Sequence, residues 1–301
     1  MSTYKRTNTD HILNEISWKY PNVDEILTKF WLNQLIEQGI IPSPKVKTIG
    51  HMLRGKVCIV TGASEGIGEA IAKTLAIDGG AIVVLASRQL QKLQGITEYL
   101  CESGCSKSDV LALKCDVTDR NNVEDVVKTV LSHYGKIDVL VNCAGLMYYT
   151  LMKNLKVEEW SKQIDVNCHG TTNITGAVLP TMIEQKRGHI LNITSDAGKR
   201  GFAGLAVYSG TKFYIEGFMQ ALRQEVLEYG IKITNIQPGD VSTKLASRST
   251  DEEARSKYDF SNAGHSILDP DDVAKTVLHA LAQPHHVAIN EVLIEPQAAP
   301  I

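Results

Sequence analysis

The stretch "KVCIVTGASEGIG" at residues 56–68 decides the fold. An apolar run passes directly into a turn that contains Gly62, Gly66 and Gly68, and helical spacing of apolar residues follows. Glycine allows a tight turn and a close approach of the backbone to a phosphate, and the helix behind it offers unpaired N–H groups. The spacing G-x-x-x-G-x-G is one residue longer than the commoner dinucleotide fingerprint. Taken alone, it is also compatible with an ordinary turn.

Apolar runs and helical stretches alternate from this point to the end of the chain. The runs that are typical of strands lie at 56–61, 81–87, 109–116, 137–142, 189–194, 231–236 and 288–294. The helical stretches lie at 66–79, 88–103, 119–134, about 154–185, 206–229 and 270–282. Strands that alternate with helices form βαβ units. The sequence therefore predicts an α/β fold with a Rossmann-type, doubly wound, parallel seven-stranded sheet.

Residues 1–54 precede this pattern and are predicted to form a helical N-terminal extension, with residues 55–301 as a single Rossmann domain. The segment "NVDEILTKFWLNQLIEQG" has apolar residues at helical spacing, and "IPSPK" after it is typical of a linker. Two interpretations of the extension stay open. It packs on the domain or on a partner subunit, or it has a targeting or regulatory role.

Composition excludes several classes of function. The net charge of −3 gives no footprint for nucleic acid or for anionic lipid. No run reaches the roughly 18 apolar residues that a membrane helix needs, and the N-terminus lacks an apolar signal core. The six cysteines favour a reducing compartment, so a cytoplasmic location is expected. Neither the Cys101 and Cys105 pair nor the adjacent His285 and His286 has further ligands nearby in sequence, so no metal site is predicted.

Two tyrosine–lysine pairs share a spacing of four residues, which places both side chains on one face of a helix. They are Tyr208 with Lys212 in "VYSGTKF", and Tyr149 with Lys153. Either pair alone is compatible with a catalytic acid beside a cation, or with a tyrosine and a lysine that share a helix surface by chance. The surrounding sequence has to decide between them.

Four motifs resemble the short-chain dehydrogenase/reductase family in their order and spacing. They are "TGASEGIG" at 61–68, "NCAG" at 142–145, "YSGTK" at 208–212 and "PGDVST" at 238–243. The resemblance covers about residues 55–296. The ending "AINEVLIEPQ" resembles the NADP-dependent carbonyl and 3-hydroxy acid reductases of that family. The resemblance implies an oxidoreductase that transfers hydride between a nicotinamide and a carbonyl or alcohol.

The family pattern selects one of the two tyrosines. It places a serine thirteen residues before the catalytic tyrosine, which is Ser195 for Tyr208 but Lys136 for Tyr149. The resemblance thus implies that Tyr208 is the general acid and base and that Lys212 lowers its pKa and holds the ribose. Ser195 would bond the carbonyl oxygen, and Asn167 in "IDVNCHG" would hold a water in a proton relay. Tyr149 is expected at the pocket mouth or on the surface.

The resemblance also assigns residues to the cofactor. The glycine turn would hold the pyrophosphate, Asp116 the adenine, "NCAG" would support the adenine side, and "PGDVST" would wrap the nicotinamide. The full expected set is Gly62, Ser64, Glu65, Gly66, Ile67, Gly68, Ser87, Arg88, Asp116, Val117, Asn142, Ala144, Gly145, Tyr208, Lys212, Pro238, Gly239, Val241 and Thr243. In "NCAG", Cys143 stands where the family usually has a second asparagine.

Cofactor choice is predicted from the end of the second strand. An acidic residue there would accept hydrogen bonds from the ribose hydroxyls of NAD, but this chain has Ser87 followed by Arg88. A guanidinium binds a phosphate in a fork, so NADP(H) is expected. Glu65 departs from this pattern because NADP-dependent relatives often carry a basic residue in that turn.

The predicted function is an NADP-dependent carbonyl reductase with a small-molecule carbonyl or alcohol substrate and no membrane or nucleic-acid partner. Helix 206–229 has more apolar surface than one sheet face buries, so a homodimer or homotetramer is expected. Two alternatives stay open. One is a nucleotide-binding sensor with little turnover, and the other is a scaffold protein that docks through the N-terminal extension.

Overall fold

The computed structural model describes residues 52–259 and 267–298. Residues 1–51 of the predicted extension lie outside the described residues, so the division into an extension and a Rossmann domain stays a prediction. No helix in the described part of the chain has the length and apolar character that crossing a bilayer requires.

Seven parallel strands form one sheet. They are β1 (Val57–Thr61), β2 (Ile82–Ser87), β3 (Val110–Lys114), β4 (Val139–Asn142), β5 (Gly188–Ile193), β6 (Ile231–Pro238) and β7 (Glu291–Ile294). Their order is β3-β2-β1-β4-β5-β6-β7, and each pairs in parallel with its neighbours. The predicted Rossmann-type sheet is therefore confirmed.

Helices cover both faces of the sheet. They are α1 (Gly66–Ile77), α2 (Leu90–Glu102), α3 (Arg120–Tyr134), α4 (Val157–Ile164), α5 (Thr171–Glu184), α6 (Ala206–Glu225), α7 (Glu252–Tyr258) and α8 (Pro270–Leu281). Helices α1, α2 and α8 pack with Cys58 and Val60 of β1 on one face. Helices α3, α5 and α6 pack with Val57 and Ile59 on the other. Because both faces of β1 are covered, its sequence is an unbroken apolar run rather than an alternating one.

The long helical stretch predicted at about 154–185 is divided. A π-helical segment, Asp165–Gly170, separates α4 from α5. At Gly170 an added Cβ would lie 2.5 Å from the Val117 side chain, so this segment packs closely against the loop after β3. Inserted π-turns are frequent at functional sites because they redirect side chains. This one carries Asn167.

Helix α7 lies in a segment, 242–268, that has no steady sequence period. It buries only Ala254, so its sequence carries no apolar stripe. Asp251 caps it by accepting a hydrogen bond from the N–H of Ala254 at 3.0 Å. The same carboxylate accepts from the N–H of Leu151 at 2.9 Å, which joins this segment to the loop after β4.

The strand order positions the site. From β1 the chain proceeds outward to β2 and β3, then returns to place β4 on the other side of β1. The loops after β1 and β4 therefore diverge and leave a crevice at the carboxyl ends of the strands. In open parallel sheets, ligands bind in this crevice.

Candidate active site and cofactor cleft

A cleft of about 1080 Å³ opens at the carboxyl ends of the strands. Nearly every residue that the sequence assigns to the cofactor or to catalysis lines this cleft, although the positions span 62–243 of the chain. Two assigned residues, Asn142 and Asn167, do not line it and lie behind its wall. The sheet topology thus brings together residues that the sequence shows only as separate motifs.

The glycine turn after β1 leaves no room for side chains. Gly62 has φ +67°, and a Cβ there would lie 2.8 Å from the Cα of Ala144. A Cβ on Gly68 would collide with the carbonyl oxygen of Gly62. The turn is therefore packed against the loop after β4, and only glycine fits at these positions.

The N-terminus of α1 is open to an anion. Glu65 is its N-cap residue, and the Glu65 side chain makes no capping hydrogen bond. The first N–H groups of a helix have no partner within the helix, and its dipole makes that end positive. With the glycine cradle beside it, this end has the geometry and charge that a pyrophosphate requires.

Glu65 is paired on both carboxylate oxygens. It contacts Lys92 of α2 at 2.7 Å and Arg248 at 2.5 Å. The hydrogen bond from Lys92, assisted by the charges of Arg248 and Lys244, holds the pKa of Glu65 below its usual value. The negative charge of Glu65, which stands where relatives often have a basic residue, is therefore offset by two cations. Lys92 and Arg248 were missed by sequence reasoning because no motif contains them.

The end of β2 carries the residues expected to select the cofactor. Ser87 is buried, and its Oγ accepts a hydrogen bond from the N–H of Gln89 at 3.1 Å. Arg88 is exposed and lines the cleft. It also lines an adjoining cavity of about 330 Å³, to which Lys162 and Arg248 contribute. Several cations thus surround this end of the cleft.

Asp116 lies at the same end, after β3. Its Oδ1 accepts hydrogen bonds from the N–H and the hydroxyl of Thr118, at 3.0 and 2.7 Å. Burial opposes ionisation, but these hydrogen bonds and the charge of Arg88 outweigh it and lower the pKa of Asp116. The carboxylate is therefore held ionised beside the expected adenosine position.

Tyr208 and Lys212 lie one turn apart on α6, and both are buried. The Nζ atom of Lys212 lies 5.5 Å from the centroid of the Tyr208 ring and donates a hydrogen bond to the carbonyl of Ile193 at 3.0 Å. Burial lowers the pKa of Lys212 to about 8. The lysine is thus held in place by the end of β5.

Ser195 follows β5 and lies beside Tyr208. Its Oγ donates to Oδ1 of Asp196 at 2.7 Å and accepts from the N–H of Ala197 at 3.1 Å. Burial raises the pKa of Tyr208, and a hydrogen bond with Ser195 acts in the opposite direction. The resemblance implied a lowered pKa for this phenol. In the structure burial outweighs the hydrogen bond with Ser195, so the pKa of the phenol is raised rather than lowered.

Asn167 supports the wall of the cleft from behind. Its Oδ1 accepts from the N–H of Leu146 at 2.8 Å, and its Nδ2 donates to the Leu146 carbonyl at 2.8 Å and to Thr211 at 3.0 Å. A Cβ on Gly145 would lie 3.5 Å from Asn167 Oδ1 and 4.0 Å from Lys212 Nζ. Asn167 therefore fixes the loop after β4 next to the lysine.

Asn142 begins a row of buried amides across the sheet. It donates to Asn192 at 2.9 Å, and Asn192 donates to Asn235 at 3.0 Å. Asn235 in turn donates to Glu216 of α6 at 2.8 Å. These strand partners lie side by side in the register of β4, β5 and β6. The row ties the end of β4 to the helix that carries Tyr208.

Tyr149 and Lys153 do not share a helix face. Lys153 lies in a short 3₁₀ turn, Met152–Asn154, and pairs with Glu253 of α7 at 2.5 Å. Tyr149 lines the cleft and is only 8% exposed. The sequence predicted a position at the pocket mouth or on the surface, and in the structure Tyr149 forms part of the buried wall of the cleft.

Several known proteins are similar to this chain. The profile of the short chain dehydrogenase family matches residues 56–254. The glycine betaine reductase ATRR of Emericella nidulans is 43% identical over 287 residues. That match covers 93% of this chain but 22% of the fungal protein, so the chain spans about a fifth of that relative's length. It covers more of the chain than residues 55–301 supply, so it reaches into the N-terminal extension.

Two further proteins are similar to this chain over about four fifths of its length. An uncharacterized oxidoreductase of Staphylococcus aureus strain MW2 is 38% identical over 245 residues, which is 81% of this chain and 99% of the bacterial protein. The closed form of a serine dehydrogenase complexed with NADP+ has a TM-score of 0.73 and 31% identity. It covers 81% of this chain and 96% of the other.

Proposed function

The chain belongs to the short chain dehydrogenase family, and on that premise we propose that it is an NADP-dependent reductase of carbonyl compounds. As a member of that family it is an oxidoreductase of alcohol and carbonyl groups. The observation that carries the finer proposal is that Tyr208, Lys212 and Ser195 line the same cleft as the glycine turn and Arg88.

The chain's own residues provide proton transfer and charge stabilisation. The reduced dinucleotide, when bound, supplies a hydride to the carbonyl carbon. Tyr208 donates its phenolic proton to the carbonyl oxygen. Burial raises the pKa of this phenol and so opposes the transfer, which makes a nearby positive charge important. Ser195 donates a hydrogen bond to the same oxygen and so fixes its position. Lys212 supplies positive charge beside the phenol as the proton leaves.

Asn167 is a positioning residue in this proposal. Both ends of its amide are engaged by the Leu146 backbone, so it holds the loop after β4 against Lys212. This arrangement supports a role in shaping the proton path rather than direct contact with substrate. Asn142 has a comparable role through the row of amides that reaches Glu216.

The cofactor end of the cleft favours NADP. The 2′-phosphate would be held by Arg88, with Lys92 and Arg248 adding positive charge. Ser87 provides no carboxylate to repel that phosphate. Glu65 is already paired with two cations, so its negative charge is locally offset. The solved relative that is complexed with NADP+ supports the same assignment.

The rest of the cofactor would follow the cleft from one end to the other. Its pyrophosphate would lie on Gly62, Ser64, Gly66, Ile67 and Gly68 at the open N-terminus of α1. The adenine would lie between Asp116, Val117, Ala144 and Gly145. The nicotinamide end would contact Tyr208, Lys212, Pro238, Gly239, Val241 and Thr243. All of these residues line the cleft.

The unfavourable burial of Lys212 argues against a nucleotide-binding sensor that catalyses no reaction. Burial lowers the pKa of Lys212 to about 8, which means that its charged form is destabilised in the fold. Nucleotide binding alone would need the glycine turn and Arg88 but not the buried tyrosine and lysine. A buried tyrosine and lysine with a supporting asparagine are explained by proton transfer.

An absorbance assay of NADPH oxidation tests this proposal. The purified chain is incubated with NADPH and a panel of aldehydes and ketones, and with NADP+ and the matching alcohols. We expect turnover that depends on Tyr208. A folded chain that binds NADPH but turns over none of the panel would favour the sensor. Higher efficiency with NADH would contradict the cofactor assignment only.

A further inference from the structure

Three ionisable side chains share the buried face of α6. Tyr208, Lys212 and Glu216 follow one another at intervals of four residues, which places them on one side of a helix. All three are buried, with 6%, 6% and 4% of their surface exposed. The mechanism proposed above uses the tyrosine and the lysine but not the glutamate. Because glutamate is almost never fully buried unless it is paired, Glu216 requires an explanation of its own.

The Glu216 carboxylate is held by the sheet. Its Oε1 accepts hydrogen bonds from the hydroxyl of Thr194 at 2.6 Å and from Nε2 of Gln237 at 3.0 Å. Its Oε2 accepts from Nδ2 of Asn235 at 2.8 Å. All of these partners donate, which suits an ionised carboxylate, since that group only accepts. The donors come from the ends of β5 and β6, so the position of this charge is fixed by the strands.

The charge of Glu216 has no close cation of its own. The Nζ atom of Lys199 lies 3.8 Å from Oε2 of Glu216, but it lies nearer to Glu291, at 2.6 Å. Lys199 is also exposed, and solvent screens such a contact. In the part of the chain that the structure describes, no other lysine or arginine lies within 4 Å of this carboxylate.

Lys212 is the complementary case, a buried cation without a close anion. Its Nζ donates to the carbonyl of Ile193, and no carboxylate of the described residues lies within 4 Å of it. Ile193 directly precedes Thr194, so Lys212 and Glu216 meet consecutive residues at the end of β5. A Cβ on Gly198 would lie 3.1 Å from Cγ of Glu216 and 3.3 Å from the Lys212 carbonyl oxygen, so the turn after Ser195 packs closely here. Charges act more strongly on each other where water is excluded.

The other titratable groups that face Lys212 are thiols. Burial lowers the pKa of Lys212, and the charges of Cys143, Glu216 and Cys168 act in the opposite direction. Burial raises the pKa of Cys143 to about 12 and that of Cys168 to about 11, so neither thiol is charged at neutral pH. The remaining titratable neighbours, Asp196 and Tyr149, act on the Tyr208 phenol. Glu216 is therefore the acid that favours a charged Lys212.

We propose that Glu216 is a positioning residue of the reaction and that its fixed negative charge keeps Lys212 an ammonium ion inside the fold. This inference rests on the proposed role of Lys212 in carbonyl reduction and deepens it. Burial alone favours the neutral amine, whereas a carboxylate one turn away favours the charged form. A carboxylate in direct contact would draw the ammonium away from Tyr208. A carboxylate held by strand donors compensates the charge and leaves the ammonium beside the phenol.

The pH profile of Glu216→Gln tests the proposal. The substitution keeps the shape of the side chain and removes its charge, so the pKa of Lys212 should fall below its value of about 8. We expect the alkaline limb of kcat/KM for a carbonyl substrate, at saturating NADPH, to move down by about one pH unit. Efficiency should then fall about fivefold at pH 8 and change little at pH 6. Glu216→Asp keeps the charge and should keep the wild-type limb. A folded Glu216→Gln protein with the wild-type profile would overturn the proposal.

Gln237→Met is the matched control for structure without charge. Gln237 is buried, donates to the same carboxylate and does not line the cleft. Its replacement removes one hydrogen bond from Glu216 but leaves the negative charge. The melting temperature should fall, and the alkaline limb should stay in place. An equal shift of the limb in both variants would assign the effect to packing and contradict a role for the charge.

A double-mutant cycle tests the pair without any substrate. In urea melts, Glu216→Gln should lower the unfolding midpoint clearly more in the wild type than in a Lys212→Met background, because only the wild type retains a buried cation. Gln237→Met should cost the same in both. A Glu216→Gln chain that folds only together with Lys212→Met would also support the pair. Equal losses in both backgrounds, or failure of both to fold, would contradict it. A coupled pair in a protein without turnover would contradict the reductase alone.

Discussion

Arg248 and Glu65 are joined by a salt bridge of 2.5 Å, so the segment after β6 is tied to the glycine turn across the cofactor end of the cleft. Lys92 of α2 contacts the other oxygen of the same carboxylate. The three side chains come from separate parts of the sequence and form one network. In this network the carboxylate of Glu65, in the glycine turn, holds two cations in place.

The network predicts a role for Arg248 in cofactor affinity. Arg248→Ala should raise the KM for NADPH a few-fold at low ionic strength and leave that for NADH nearly unchanged. The effect should shrink in about 0.5 M salt because the exposed charges are then screened. Steady-state kinetics with both cofactors measure it. Arg120→Ala, which removes an exposed charge from α3, is the control, and an equal effect there would contradict the assignment.

Cofactor choice should depend on the end of β2. Arg88→Ala should weaken NADPH about tenfold, because a charge-assisted hydrogen bond contributes about 1.5 kcal/mol or more. NADH should change little. Ser87→Asp should invert the preference by repelling the 2′-phosphate and accepting from the ribose hydroxyls. Catalytic efficiencies with the two cofactors decide the point, and a wild-type protein that prefers NADH would show that this strand end was misinterpreted.

The two cleft tyrosines should behave differently. Tyr208→Phe removes the proton donor and should reduce kcat by a factor of about 10² to 10⁴, while the fold and NADPH binding persist. Tyr149→Phe keeps the ring and should have a far smaller effect on kcat. Turnover and NADPH fluorescence titrations compare the two variants. Similar losses of kcat at both positions would remove the basis for Tyr208 as the acid.

Self-association should occur through α4 and α6. Phe213 and Tyr214 are 46% and 42% exposed, Tyr214 stacks on Phe218, and Ile164 of α4 is 42% exposed. We expect a homodimer or homotetramer that buries these side chains. Phe213→Glu with Tyr214→Glu should yield a smaller species in light scattering. Tyr99→Glu, at an exposed ring on α2, should not, and a wild-type monomer at micromolar concentration would contradict the prediction.

Acid stability should be limited by His189. This side chain is buried on β5, lies 2.7 Å from the hydroxyl of Thr234, and has its pKa lowered from 6.5 to about 3, mainly by burial. Between these values the unfolded state binds a proton that the folded state does not. Stability is therefore intact above about pH 6.5 and falls as the pH drops toward 3. At pH 5 the loss is about 2 kcal/mol from this one group.

Denaturant melts of His189→Gln at several pH values test this effect. Glutamine can keep a hydrogen bond to Thr234 but does not titrate, so the loss of stability between pH 6.5 and 5 should decrease. His133→Gln, at an exposed position of α3, should retain the wild-type dependence. An unchanged acid dependence in a folded His189→Gln protein would place the titrating group elsewhere.

Much of the architecture is encoded locally. Unbroken apolar runs predicted the buried parallel strands because a strand covered on both faces has no polar side. The glycine turn was recognisable because φ values of +67° at Gly62 and +60° at Gly66 strongly favour glycine. The boundaries were less well determined. The π-helical segment around Asn167 and the short helix α7 were not predicted, since neither changes the apolar period of its sequence.

The resemblance to the short-chain dehydrogenase/reductase family predicted Tyr208 rather than Tyr149 as the catalytic tyrosine. That family places a serine thirteen residues before the tyrosine, and this spacing can be read from the chain. Only the tertiary structure placed Glu65 between Lys92 and Arg248, or set Tyr149 in the wall of the cleft. These contacts join loops after β1, β4 and β6. Periodicity predicts which face a residue occupies, but strand order determines which loops meet. The motifs of the candidate site were therefore recognisable in the chain, whereas the contacts between them depend on the packing of the strands.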